Sequence, residues 1–105
     1  MSMVDKQSQF TFMLAELLLF ARAQGYQVTF GYAYRSPKVA EYFGFKKSLH
    51  TERLAVDLNL FIDGVYLTDT QDHLELGLYW ESLGGTWGGR FNDGNHYSLE
   101  HNGVK

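Results

Sequence analysis

Residues 54–62 constrain the fold more tightly than any other stretch. Leu54, Val56, Leu58, Leu60 and Ile62 alternate with Ala55, Asp57, Asn59 and Phe61, so apolar side chains fall on both sets. A run of this length, apolar on both faces, reads as a strand covered on both sides. Asp63-Gly64 follows at once and is a two-residue hairpin signal. Val65, Tyr66 and Leu67 therefore return beside the first strand, and the sheet they build is antiparallel.

The remaining elements attach to that hairpin. Phe10, Met13, Leu14, Leu17, Leu18 and Ala21 follow the i, i+3, i+4, i+7 spacing of an amphipathic helix. Ser8 is read as its cap and Gly25 as its left-handed end. Residues 26–34 are rich in β-branched and aromatic side chains and read as a strand. Val28, Phe30, Tyr32 and Tyr34 share one face of it, and Arg35 leaves on the other. Ser36-Pro37 has the form of an N-cap and first helical residue, with Gly44 as the stop of that short helix. A helix follows Thr68-Asp69, with Leu76, Tyr79, Trp80 and Leu83 on one stripe and Gly84-Gly85 at its end. Residues 84–94 read as a glycine-rich loop and 96–100 as a short last strand. Hairpin-linked strands with helices set to one side give an α+β domain on a small antiparallel sheet.

Composition bounds the rest. With 105 residues, the chain fits one domain, residues 1–105. It is 45% hydrophobic and 20% charged, which is ordinary for a globular domain. The net charge is −3, and the nine basic residues are scattered. Lys46-Lys47 is their one adjacent pair and reads as a solvated loop. Phosphate binding needs clustered cations, so nucleic acid is not an expected partner. There is no cysteine, which removes disulfides and thiolate chemistry and leaves metal binding to His, Asp and Glu. The apolar run from Phe10 to Phe20, followed by Ala21-Arg22-Ala23, has a faint signal-peptide look. Glu16 and the helical spacing mark it instead as part of the mature fold. It is shorter than the roughly 20 apolar residues a bilayer span needs, so no membrane insertion is expected.

Asp57 opens the functional argument, since a carboxylate in an apolar strand is costly unless paired or bound to a metal. An ion pair with Arg53 or Arg35 is one solution. The other draws on His50, seven residues earlier, and His96, 39 residues later, with Asp93 three before His96. Two His and one Asp supply the three N and O donors of a catalytic zinc site. A nearby carboxylate can then accept a proton from water. Spacing alone leaves other sets open, because the chain has four His and twelve acidic residues. His-Glu-x-x-His and Gly-x-Ser-x-Gly patterns are absent, and the glycines of residues 84–89 follow no expected strand that would make a phosphate cradle.

Ser48-Leu49-His50 with Asp57 resembles the Ser-x-His-x(6)-Asp motif of the zinc D-alanyl-D-alanine carboxypeptidases, shared by phage L-alanyl-D-glutamate endopeptidases. The stretch from Trp87 to Tyr97 resembles the second motif of that family, with an acid three before the last ligand. Tyr34-Arg35-Ser36 resembles its strand-end arginine. The resemblance covers roughly residues 10–101 and implies an α+β fold of the hedgehog/D-Ala-D-Ala-peptidase type. It implies zinc as cofactor, held by His50, Asp57 and His96. Asp93 would be the general base, Arg35 the oxyanion partner, and Ser48 a group orienting the substrate or the first ligand. Many relatives carry Gly where this chain has Arg53, Phe or Trp where it has Tyr97, and Glu where it has Asp93, whereas the phage endopeptidases it resembles have Asp as the base and some phage-type members have Arg in place of that Gly.

The activity so implied is hydrolysis of a peptide bond in the stem peptide of bacterial peptidoglycan, by a phage endolysin-like L-alanyl-D-glutamate endopeptidase or a D-alanyl-D-alanine carboxypeptidase. A non-catalytic zinc-stabilised binding module of the same fold is the alternative. Such modules often lose the base or the arginine, and both are present here. The expected partner is the stem peptide, and the expected state is a monomer. The expected origin is a phage or prophage, with synthesis in the host cytoplasm and action at the cell wall after release. Of the other conspicuous residues, His73 is read as a solvated first-turn residue and His101 as lying in the last strand, facing away from His96. Trp80 and Trp87 are assigned to the core, and Asn59 to packing on the Asp57 face of the sheet.

Overall fold

The computed structural model describes residues 2–38 and 48–105. Helix α1 spans Met3–Ala23 and starts earlier than the apolar spacing suggested. Its cap is Ser2, not Ser8: the Ser2 hydroxyl accepts from the Asp5 amide while the Asp5 carboxylate accepts from the Ser2 amide. This reciprocal pair satisfies amides the first turn leaves open, and it carries the helix across the polar segment before Phe10. Gly25, at φ +91°, takes the left-handed position after the helix as expected.

Five strands form one antiparallel sheet: β1 (Gln27–Phe30), β2 (Ala55–Ile62), β3 (Val65–Leu67), β4 (Thr86–Trp87) and β5 (His96–Ser98). The order is β1-β2-β5-β4, with β3 joined to β2. Strand β2 is the hub. β1 lies along one edge, while β5 pairs with residues 55–57 and β3 with residues 60–62 on the other. The turn between β2 and β3 has Asp63 at φ 49° and Gly64 at φ 78°, the two positive values a two-residue hairpin requires. A 3-10 turn, Thr70–His73, leads into helix α2 (Leu74–Ser82). The result is the expected α+β arrangement.

The core fills one side of the sheet. Val56, Leu58 and Leu60 of β2 pack with Phe10, Met13, Leu17 and Ala21 of α1 and with Leu76 and Trp80 of α2. Each such aliphatic or aromatic burial contributes on the order of 1.5–3 kcal/mol. Trp80 stands edge-on to Phe10 and Tyr97 and donates its indole N–H to the Ser98 carbonyl at 3.0 Å. Trp87 is buried too, its N–H on the Gly94 carbonyl at 2.7 Å. Among the described residues, no helix is long and apolar enough to cross a membrane.

Several expectations are corrected. The second face of β2 is not covered: Asp57, Asn59 and Phe61 are only half-buried, because both helices lie on the opposite side. Strand β1 ends at Phe30 rather than Tyr34. There Gly31 donates to the Asp57 carbonyl at 2.8 Å, and the Asp57 amide donates to Tyr32 at 2.6 Å. Two residues thus oppose one, as in a β-bulge, and the chain leaves the ladder. Phe30, Tyr32 and Tyr34 are exposed. The segment 84–94 is no open loop, since it holds β4 and the 3-10 turn Gly88–Phe91. The last strand ends at Ser98, so His101 lies outside it, in a turn bridged to Val104. Pro37 and Lys38 are helical, while the expected stop at Gly44 and the Lys46-Lys47 pair lie outside the described residues.

His73 is also reassigned. It is buried, and its Nδ1 lies 2.8 Å from the Tyr97 hydroxyl. With Leu76 and Trp80 it follows the i, i+3, i+7 spacing, so it belongs to the buried stripe of α2 and not to a solvated turn.

Candidate metal centre

The open face of β2 meets the end of β5, and the cross-strand pair there is Asp57 and His96. Because side chains alternate along a strand, Tyr97 turns into the core while His96 turns out beside Asp57. His50 comes from the turn before β2, where its amide donates to the Ser48 hydroxyl at 3.2 Å. The segment that leaves β1 fixes its ring. His50 Nδ1 lies 3.0 Å from the Ala33 carbonyl, and the Arg35 amide donates to the His50 carbonyl at 3.2 Å. A carbonyl can only accept, so Nδ1 carries a proton and Nε2 is the nitrogen that faces Asp57. The bulge at Gly31 is what sends the chain toward His50. A Cβ at Gly31 would stand 3.3 Å from the Asp57 Cβ, so the close approach favours glycine.

His50 Nε2 is 3.4 Å and His96 Nδ1 3.6 Å from the same oxygen, Asp57 Oδ1. One potential ligand atom from each of the three residues can be chosen so that all lie within 4.8 Å of one another. The separations exceed the roughly 2.7–3.2 Å of a good N–H···O hydrogen bond. They match the spacing of about 3.3–3.6 Å between donors held tetrahedrally at about 2.0–2.2 Å from one zinc ion. Asp57 Oδ1 and His96 Nε2 are buried without a hydrogen bond among the described residues. A cation between the three donors would satisfy the first of these, so the set fits a divalent metal. Burial acts to raise the Asp57 carboxyl, but the facing imidazoles of His50 and His96 outweigh it and hold it at about 2. Asp57 is therefore an anion, with no ion pair to Arg53, whose guanidinium lies over the Tyr34 ring at 4.1 Å.

Asp93 stands at the rim, half-exposed, its Oδ2 3.9 Å from His96 Nδ1. At that distance it makes no hydrogen bond to the ring. Burial raises its carboxyl, as does the charge of Asp57, against the opposing effect of His96 and His50. Gly88 makes this corner possible, because a Cβ there would lie 2.1 Å from the Asp93 carbonyl oxygen and 2.7 Å from the His96 Cβ. Arg35 is buried, with its guanidinium over the Tyr32 ring at 4.4 Å. Arg35, Ser48, His50, Asp57, Asp93 and His96 all line one cavity of about 320 Å³, so the structure brings every sequence-derived candidate together.

Sequence reasoning did not find three contributors. The Ala33 carbonyl is a backbone group with no residue signature. Phe91 lines the cavity with its ring 5.9 Å from that of His96, and only its place in the segment before Asp93 hinted at this. Lys105 lines the cavity as well, and nothing in its sequence context pointed there. His101 and Asn59 stay outside the cavity lining. Asn59 instead donates to the Thr29 hydroxyl at 3.3 Å across the sheet, as packing on that face.

The profile of a peptidase family described as D-alanyl-D-alanine carboxypeptidase matches residues 44–99, just over half of the chain. No curated protein matches it significantly.

Proposed function

The chain belongs to the D-alanyl-D-alanine carboxypeptidase family, and from that membership we propose that it is a zinc peptidase cleaving a peptide bond in the stem peptide of bacterial peptidoglycan. The observation that carries this reading is the convergence of His50 Nε2 and His96 Nδ1 on Asp57 Oδ1, with Asp93 beside them in one cavity. His50, Asp57 and His96 are the residues that would hold the metal. A zinc ion held by them would supply Lewis acidity at the site and lower the pKa of water there to about 7.

The remaining chemistry belongs to the side chains. Asp93 accepts the proton of the water as its oxygen attacks the carbonyl carbon. Arg35 holds the negative charge that develops on the carbonyl oxygen, from a buried position that keeps its field strong. As the C–N bond breaks, Asp93 passes its proton to the leaving nitrogen, giving a carboxylic acid and an amine, which ionise to carboxylate and ammonium. Ser48 acts on the first ligand by fixing the turn that carries His50.

Both a D,D-carboxypeptidase and a phage-type L-alanyl-D-glutamate endopeptidase use this machinery. An aspartate in the base position favours the phage type, an enzyme made in the host cytoplasm and released onto the wall. The retention of both Asp93 and Arg35 in the cavity argues for an enzyme over a binding module. The test is digestion of purified peptidoglycan by zinc-loaded wild type and Asp93→Ala, with mass spectrometry of the products. Release of peptides by the wild type alone supports the reading, and the new termini identify the bond. No release by either, with zinc bound to both, overturns it.

A further inference from the structure

The cavity includes in its lining a basic residue that the mechanism above does not use. Lys105 lines it together with Arg35, on a chain whose net charge is −3. Its position is built into the fold. The His101 amide donates to the Val104 carbonyl at 3.0 Å and the Val104 amide returns to His101 at 2.9 Å. Asn102 and Gly103 close this turn at φ 51° and 76°. Val104 packs against the core, and Lys6 of α1 donates to the Glu100 carbonyl, so the turn is tied to the helix. The turn thereby carries the chain to Lys105, which lines the cavity.

Among the described lining residues Arg35 and Lys105 balance Asp57 and Asp93, and a divalent ion on the His-Asp-His set would make the sum positive. The cavity is then locally positive on an acidic protein, which selects for an anionic substrate. We infer that Lys105 is a specificity residue whose ammonium pairs with a substrate carboxylate next to the scissile bond. This rests on the peptidase reading and deepens it. Both bonds in question carry such a group: the terminal carboxylate of D-Ala-D-Ala, and the α-carboxylate of a D-Glu joined through its side chain.

The test uses four probes, N-acetyl-D-Ala-D-Ala and N-acetyl-L-Ala-D-Glu with its side-chain carboxyl blocked as the methylamide, each as the free α-acid and as its α-amide. Binding to the zinc-loaded protein is measured by calorimetry in an Asp93→Asn background, so that no probe is consumed, and kcat/KM is measured with Asp93 intact. An acid should bind about 5–10-fold more tightly than its amide, the range of an exposed to partly buried charge pair. Lys105→Met should reduce that preference below about twofold, acting on KM more than kcat, and Lys105→Arg should restore it. Equal binding of acid and amide, no binding of any probe, or a preference that survives Lys105→Met overturns the inference. The last result would mean that the metal or Arg35 reads the carboxylate. If no probe is cleaved but the acid preference is present and depends on Lys105, the peptidase reading fails and the assignment of Lys105 stands.

Discussion

His73 makes a sharp demand on the stability of the domain. Burial pulls its pKa from 6.5 down to about 4 in the folded chain, against a smaller opposing effect of Asp72. The unfolded chain therefore takes up the proton first as the pH falls. The contribution of His73 is fully present above pH 6.5 and is lost progressively as the pH falls to about 4. Integrating between these two values gives a loss of about 2 kcal/mol from pH 7 to pH 5, and about 3 kcal/mol by pH 4. For a domain of this size 2 kcal/mol corresponds to a Tm lower by roughly 8–16 °C. The assay is urea unfolding at pH 7 and pH 5 of chelator-treated wild type and His73→Gln, so that metal release does not add to the slope. The variant should be less stable at pH 7, because Tyr97 loses its partner, but its stability should fall less between the two pH values by about 2 kcal/mol. Equal slopes in the two proteins would refute the argument that His73 is held neutral in the core.

Other consequences can be checked alongside. Arg53 sits at φ 58°, in the left-handed region, where glycine fits without strain. Arg53→Gly should stay within about 1 kcal/mol of wild type, whereas Arg53→Val should cost about 1–2 kcal/mol in urea unfolding. Gly88→Ala would drive a methyl group into the Asp93 carbonyl, and a loss of about 1–3 kcal/mol with weaker zinc binding is expected by calorimetry. Asp93→Asn should lower kcat by about 100-fold or more, with zinc stoichiometry unchanged by elemental analysis.

Most of the site was legible because its residues break local rules. Asp57 stood out in an apolar strand, and His50, Asp93 and His96 lay at spacings that a known motif explains. The hairpin at Asp63-Gly64 was fixed by turn chemistry, and the α2 stripe by period. The misses trace to effects beyond that local reading. Ser8 lost to Ser2 because the capping box with Asp5 outranks a lone serine. The alternation past Phe30 was interrupted by the doubled pairing at Asp57, which depends on tertiary contact. Strand β4 was hidden because its two residues lie among glycines whose role is close approach and not flexibility. His73 was the avoidable error, since its spacing to Leu76 and Trp80 already placed it on the buried stripe. Lys105 could not be seen, because a hairpin turn about Asn102 and Gly103 decides where it lies.

The measurement that bears most directly on the account is a zinc titration of the chelator-treated protein, followed by release of peptides from purified peptidoglycan. One zinc per chain should restore full release in the wild type, and His50→Ala or Asp57→Asn should neither bind that equivalent tightly nor recover. Undiminished release by the metal-free protein, or no release at full zinc occupancy, would contradict a metal-dependent peptidase built on His50, Asp57 and His96.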